Sequence, residues 1–154
     1  MIRIYPSALT KLYMAENNIF IDANVFIALL NRQDGLHERA SVLWGELENR
    51  GYSLITSNFV ISEVITVLSM RAGKQVALLF ADMVYHKTTI LRVLRVNEET
   101  ELSAISYLKL FKSKNISFCD CVTMAILKIY NIKNIATFDG DFKNTKLPFK
   151  VIVK

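Results

Sequence analysis

The chain has little of what several common enzyme strategies require. Of its 154 residues two are histidine, two cysteine, two proline and five glycine. With only His37 and His86 available there is no Ser-His-Asp pattern, so chemistry of the catalytic-triad type is not expected. The two cysteines, Cys119 and Cys121, flank Asp120. Two thiols cannot complete a tetrahedral zinc site, and a pair one residue apart in a helix is badly placed to bridge, so both are expected as buried, reduced thiols.

Long apolar runs are missing too. The longest in the opening segment is Val25 to Leu30, far short of the ~20 residues of a membrane span. The N-terminus lacks an apolar region of signal-peptide length and a small-residue cleavage site, which points to a cytoplasmic protein. Repeats, low-complexity tracts and linkers are absent, leaving one alternating α/β domain. A domain of this length buries roughly 68–70% of its unfolded surface and needs no disulfide or structural metal. Hydrophobic residues reach 52% and mean hydropathy +0.28, an apolar balance that a partner surface would partly cover.

Arginine is absent from the last third. From Lys109 to Lys154 there are nine lysines and three acids (Asp120, Asp139 and Asp141), a balance of +6, whereas residues 1–108 carry ten basic and eleven acidic residues. The basic excess is therefore concentrated where it can meet a polyanion.

What is present reads as strands and helices in alternation. Met14 precedes Glu16-Asn17-Asn18, so residues 1–13 are expected as an extension from an upstream start and 1–18 as a segment ahead of the domain at 19–154. Ile19-Phe20-Ile21 reads as an inner strand ending at Asp22, with a helical turn from Val25 to Leu30. His37–Arg50 is amphipathic through Ala40, Leu43, Trp44 and Leu47 and stops at Gly51; Tyr52–Thr56 is a second strand.

Ser57 or Asn58 caps a helix over Phe59–Ala72, stopped by Gly73. Its apolar face holds Phe59, Val60, Val64, Val67 and Leu68, and Glu63 falls within it, an expensive place for a carboxylate without a cation. Lys74–His86 is a further helix. Ile90–Val96 is β-branched enough for a third strand, although a regular one puts Arg92 and Arg95 on opposite faces. Asn97 followed by Glu98 and Glu99 starts a helix expected to carry Leu102, Ile105, Leu108 and Phe111 inward.

Asp120 opens an apolar helix running to about Tyr130, on the side of Thr123, Met124 and Leu127. Asn134–Phe138 is a strand ending at Asp139, and Phe149–Val153 a final edge strand opened by Pro148.

Four acids share a placement. Asp22 and Asp139 end strands, while Glu63 and Asp120 face inward from the first halves of helices. Strand C-termini and the helix starts that follow them share one rim of a parallel sheet. Carboxylates gathered there repel unless a cation compensates, and an all-oxygen donor set suits Mg²⁺ or Mn²⁺, as one or two ions. Two such ions hydrolyse phosphodiesters without a protein nucleophile.

Four segments carry these acids: Ile19-Phe20-Ile21-Asp22-Ala23-Asn24-Val25-Phe26, Thr56-Ser57-Asn58-Phe59-Val60-Ile61-Ser62-Glu63-Val64, Phe118-Cys119-Asp120-Cys121-Val122-Thr123-Met124-Ala125 and Ala136-Thr137-Phe138-Asp139-Gly140-Asp141-Phe142. In that order and separation they resemble a PIN-domain ribonuclease, in particular the toxin component of VapBC-type toxin–antitoxin pairs. The resemblance covers about residues 19–153. It implies an α/β PIN-like fold, with a central parallel sheet of about four to five strands and helices on both faces. It further implies metal-dependent endonucleolytic cleavage of single-stranded RNA, a homodimer, and inhibition by a small antitoxin protein.

Asp22, Glu63, Asp120 and Asp139 fall on the family's four acidic positions, as metal-holding catalytic residues. Asp141 is a further acid beside Asp139, as support for it or as a loop residue. Asn24 and Thr137 match nearby polar positions that orient a ligand or water. Lys112, Lys114, Lys143 and Lys146 are assigned to the RNA backbone.

Alternatives remain on the same residues. One is a stand-alone PIN nuclease of RNA processing, and another a non-catalytic PIN-like scaffold binding RNA or protein. A haloacid-dehalogenase-like phosphotransferase also starts from a strand-end acid, but it needs a second acid two residues on, where this chain has Asn24.

Overall fold

The computed structural model describes residues 17–86, 91–111, 115–143 and 147–152. The expected N-terminal extension lies outside them, apart from Asn17 and Asn18, and so do Lys112, Lys114 and Lys146.

The elements follow the order β1 (Asn18–Ile21), α1 (Ala23–Leu30), α2 (His37–Asn49), β2 (Ser53–Ser57), α3 (Asn58–Arg71), α4 (Lys74–Tyr85), β3 (Leu91–Leu94), α5 (Glu98–Leu110), α6 (Phe118–Ile129), β4 (Asn134–Ala136), α7 (Gly140–Lys143) and β5 (Lys150–Ile152). The five strands form one sheet in the order β3-β2-β1-β4-β5, all pairs parallel. From β1 the chain steps outward through β2 to β3, then crosses back to β4 and β5. Right-handed crossovers therefore place α1 to α4 on one face and α5 and α6 on the other. The gap between β1 and β4 is the point where strand order reverses, and ligands of open α/β sheets bind at such points.

Local sequence accounts for the boundaries. The central strands are apolar on both faces, and Ile19, Phe20, Ile21, Leu54, Ile55 and Ile135 are essentially inaccessible. Asp22 caps α1, Ser57 caps α3 with its Oγ accepting from Val60 N at 3.3 Å, and Asn97 caps α5 by accepting from Thr100 N at 3.0 Å. Gly51 and Gly73, at φ +63° and +98°, turn the chain after α2 and α3 in a conformation glycine alone adopts cheaply. Pro148 precedes β5 at the sheet edge, as expected. The third strand ends at Leu94, so Arg95 leaves the pleat and lies over the Tyr85 ring at 5.8 Å. The two arginines never compete for opposite faces.

Two expected helix faces are corrected. In α5, Leu102, Ile105 and Leu108 do not point inward: they are 59%, 38% and 43% exposed. The residues that pack inward are Thr100, Ala104 and Tyr107, with Phe111 partly buried beyond the helix end. A spacing of three residues drifts by about 60° per step, so 102, 105 and 108 wind away from the core, whereas steps of four and three hold one line. In α3 the face is split. Val60, Ile61, Val64 and Leu68 enter the core, while Phe59, Glu63 and Val67 are half-buried on its flank. Glu63 thus borders the core without being sealed in it.

Cys121 is buried, Cys119 half-buried, and both are free thiols. Among the described residues no helix is long and apolar enough to cross a membrane.

Candidate active site

The four sequence-selected acids line one cleft of about 320 Å³ at the C-terminal rim of the sheet, with Asn24, Ile27, Val67, Arg71, Asn115 and Ser117 around them. Asp22 arrives there because β1 ends at Ile21 and α1 begins at Ala23, leaving the acid as the joint between them. Its Oδ1 accepts from Ala23 N at 2.8 Å, and its Oδ2 accepts from Asn24 Nδ2 at 2.8 Å and from Thr137 Oγ1 at 2.6 Å. The side chain is 4% exposed.

Thr137, fully buried at the end of β4, is the hub of this arrangement. Besides donating to Asp22, its hydroxyl accepts from Asn24 Nδ2 at 3.0 Å and from Asp139 N at 3.0 Å. Asn24 Oδ1 completes the circuit by accepting from Phe138 N at 3.0 Å. Residues more than a hundred positions apart in sequence are thereby locked across the switch point. We expect Thr137→Val to leave Asp139 N without its acceptor and Asp22 Oδ2 without its hydroxyl donor, at about 1–3 kcal/mol, and to lower Tm by several degrees. A thermal melt matching wild type would show that the network carries no stability.

Asp120 occupies the first turn of α6 as half of a capping box. Its Oδ2 accepts from Ser117 N and from Ser117 Oγ, both at 2.7 Å, and its own N–H donates to Ser117 Oγ at 3.1 Å. Helix-end capping and cleft lining are therefore served by one carboxylate. Asp139 Oδ1 accepts from Asp141 N at 2.8 Å, which starts the short α7. Asp141 contributes its backbone to that turn and its side chain is not part of the cleft wall.

The electrostatics match the crowding. Burial pushes Asp22 up to about 7, against the hydrogen bonds from Thr137 and Ala23 and with help from Asp120 and Glu63. Asp120 is also raised, by burial first, then by Asp139 and Glu63, with the Ser117 bonds opposing. The Cys119 thiol is pushed far up by burial, by its hydrogen bond to Glu63 and by the surrounding carboxylates, so it stays protonated.

As the side chains stand, no three His, Cys, Asp or Glu groups among the described residues form a set that could hold a metal ion. Asp22, Asp120 and Asp139 are each turned toward their own hydrogen-bond donors. The donor chemistry nonetheless fits a hard divalent cation: four carboxylates on one cleft, electrostatically coupled, with a neutral thiol beside them.

A family model described as PIN domain matches residues 19–147. The chain belongs to the PIN-domain family. Its relatives include the 23S rRNA-specific endonuclease VapC20 of Mycobacterium tuberculosis, 32% identical over 124 residues that cover 80% of this chain and 91% of VapC20. The Ribonuclease VapC6 of Methanocaldococcus jannaschii is 27% identical, covering 92% and 99% of the two chains. The crystal structure of VapC20, described as a Sarcin-Ricin loop cleaving toxin, superposes at a TM-score of 0.73 with 31% identity over 81% of this chain and 92% of that one. The Rickettsia felis VapBC2 structure, at 14% identity, TM-score 0.63 and coverage of 87% and 98%, agrees in fold. The PIN fold expected from the sequence is the fold observed.

Sequence reading missed three polar cleft residues of this PIN domain, Arg71, Asn115 and Ser117. Arg71 lies eight positions after Glu63, two helical turns along the same flank of α3, and helical phase alone could have found it. Ser117 could have been found from the Ser-x-x-Asp capping signature at 117–120. Of the lysines expected on the RNA backbone, Lys143 is exposed at the end of α7, next to the cleft-lining loop.

Proposed function

We propose that this PIN domain is a Mg²⁺- or Mn²⁺-dependent endoribonuclease that cleaves single-stranded RNA and serves as the toxin of a toxin–antitoxin pair. The observation that carries the reading is the convergence of Asp22, Glu63, Asp120 and Asp139 on one cleft, with Asp22 raised to about 7 by burial and its acidic neighbours. Buried carboxylates at such a cost are best explained by a cation that offsets it. The named activities of VapC20 and VapC6 support the choice of RNA over other phosphodiesters.

In this reading the four acids hold one or two ions, which supply an activated water and charge neutralisation at the leaving oxygen. Thr137 and Asn24 orient Asp22, Ser117 holds Asp120, and Arg71 offers a guanidinium to the phosphate. No histidine is required. Asp141 serves as the backbone anchor of Asp139, and Lys143, with Lys112, Lys114 and Lys146, holds flanking phosphates.

A groove of about 790 Å³ between the end of α1 and α4, with Leu29, Leu30, Val76, Leu79, Phe80 and Met83 on its apolar side and Asn31, Arg32, Gln33, His37 and Arg71 on its polar side, suits an amphipathic helix of an antitoxin. Met70, 81% exposed, and Tyr85 extend the apolar surface of α3 and α4 for self-association as a homodimer.

The test is cleavage of a mixed RNA pool, including an rRNA loop of the kind VapC20 is named for, with Mn²⁺, Mg²⁺ or EDTA. Cleavage is expected with either cation, to vanish in EDTA, and to fall at least about a hundredfold in Asp120→Asn, since loss of a ligand costs no less than the roughly 10–100-fold of an outer-shell partner of a metal. Activity surviving both treatments would remove the metal-nuclease reading.

A further inference from the structure

A second cavity, of about 510 Å³, adjoins the carboxylate cleft. It lies between α3 and the start of α6 and is lined by Asn58, Phe59, Ser62, Thr66 and Cys119, together with Glu63, Val67 and Ser117. The last three residues also line the cleft, so the two spaces are continuous. Its volume is within the range of small-molecule sites, about 300–1,000 Å³.

The lining chemistry selects among ligands. It includes no basic residue and one acid, Glu63, so a phosphate or other anion is disfavoured. Half-buried Phe59, Val67 and Cys119 make an apolar wall, while Ser62, Thr66 and Ser117 are exposed and polar. The Phe59 ring is set at 66° to Phe118 with centroids 6.0 Å apart, which restrains it from folding into the space. Thr66 Oγ1 gives its proton to the Ser62 carbonyl at 2.8 Å and so faces a ligand as an acceptor. Asn58 Oδ1 accepts from Val96 N at 2.9 Å, so its amide NH₂ is the end it can offer. A neutral planar group with a π face and polar edges matches this set, as an unstacked nucleobase does.

We propose that this cavity receives one unpaired base of the RNA beside the scissile phosphodiester and sets the enzyme's sequence preference. The proposal rests on the nuclease reading above and adds to it the feature of the substrate that is read. Because Glu63 is a wall of both spaces, a base seated beside Phe59 brings its own phosphate to the mouth of the carboxylate cleft. Phe59 supplies stacking, and Asn58 and Thr66 supply the donor and the acceptor that discriminate base edges.

The test compares wild type, Phe59→Leu and Thr66→Val. Cut ends from a mixed RNA pool are sequenced with Mn²⁺, and kcat and KM are measured on one preferred oligonucleotide. A single-stranded RNA carrying 2-aminopurine is titrated in EDTA, where its fluorescence reports stacking without cleavage. Phe59→Leu is expected to raise KM on the order of tenfold with kcat within about twofold, and to abolish the 2-aminopurine quench. Thr66→Val, an exposed and near-isosteric change, is expected to flatten the preference at one position flanking the cut while the melting temperature is unchanged. Wild-type preference and KM in both variants, or no quench with wild type, would overturn the proposal and leave the nuclease reading standing. A Phe59-dependent quench in a protein that cuts no RNA would overturn the nuclease reading, and with it the cavity's part in sequence preference, and leave a base-binding site alone.

Discussion

Asp22→Asn is expected to eliminate RNA cleavage, by well over a hundredfold, while the protein stays folded and loses the Asp22 contribution to the pH dependence of its stability between about pH 4 and 7. The amide is nearly isosteric with the carboxylate. It keeps an acceptor for Ala23 N, so the cap on α1 survives. It cannot accept at both positions, so the bonds from Thr137 Oγ1 and Asn24 Nδ2 to Oδ2 are weakened, a loss of about 1.5–3 kcal/mol for hydrogen bonds to a charged group.

Against that loss stands the cost of the buried anion. A carboxylate moved from 3.8 to about 7 is disfavoured in its ionised form by about 4 kcal/mol at high pH. Relief of that cost offsets the weakened bonds. Activity and stability therefore separate, the first lost and the second kept or raised above pH 7. Cleavage assays with Mn²⁺ beside thermal melts at pH 8 read both. Cleavage at the wild-type rate would mean that the Asp22 carboxylate takes no part in the reaction.

The acids were legible in the sequence because each breaks a strong local pattern. Asp22 and Asp139 interrupt β-type apolar runs, and Glu63 intrudes on a helical apolar stripe, so position along the element sufficed to place them on one rim. The hydrogen-bond hub was only half legible. Asn24 and Thr137 could be matched by resemblance, but their bonding depends on β1 and β4 being neighbours, a long-range pairing no local pattern encodes.

Two kinds of information were lost for different reasons. Apolar character alone directs Leu102, Ile105 and Leu108 of α5 inward. Its contact with α6 is instead made through smaller or amphipathic residues, Thr100, Ala104 and Tyr107, leaving Leu102 and Leu108 outward. Sequence position groups the lysines of the last third together, whereas a parallel sheet sorts charge by rim. Lys133 immediately precedes β4, Lys150 opens β5 and Lys128 is in the last turn of α6, so these three belong to the end of the sheet opposite the cleft. Lys128 and Lys133 line one small cavity there. Lys143, after β4, is on the rim of the acids. The net +6 of that segment is therefore divided between two surfaces, and only part of it can follow an RNA strand into the cleft.

The largest effect on stability is expected from pH. In EDTA, the folded protein holds a proton on Asp22 up to about pH 7, whereas the unfolded chain releases it near 3.8. Between these values the native state binds more protons than the unfolded state. Stability attributable to this group is thus fully present below about pH 4, falls as pH rises by up to 1.36 kcal/mol per unit, and is lost by about pH 7, a total of about 4 kcal/mol. Asp120, raised for the same first reason, acts in the same direction. Ordinary surface carboxylates act in the opposite direction, so the term is isolated as the difference between wild type and Asp22→Asn in melts at pH 5, 6, 7 and 8. A divalent ion prefers the ionised acids, so Mn²⁺ should restore about 2.7 kcal/mol at pH 8 when present at a hundredfold its dissociation constant, and much less at pH 5, where a proton competes for Asp22. A wild-type minus Asp22→Asn difference that stays flat across this range, or Mn²⁺ stabilisation equal at pH 5 and pH 8, would show that Asp22 is ionised throughout and that burial is not what couples it to the cation.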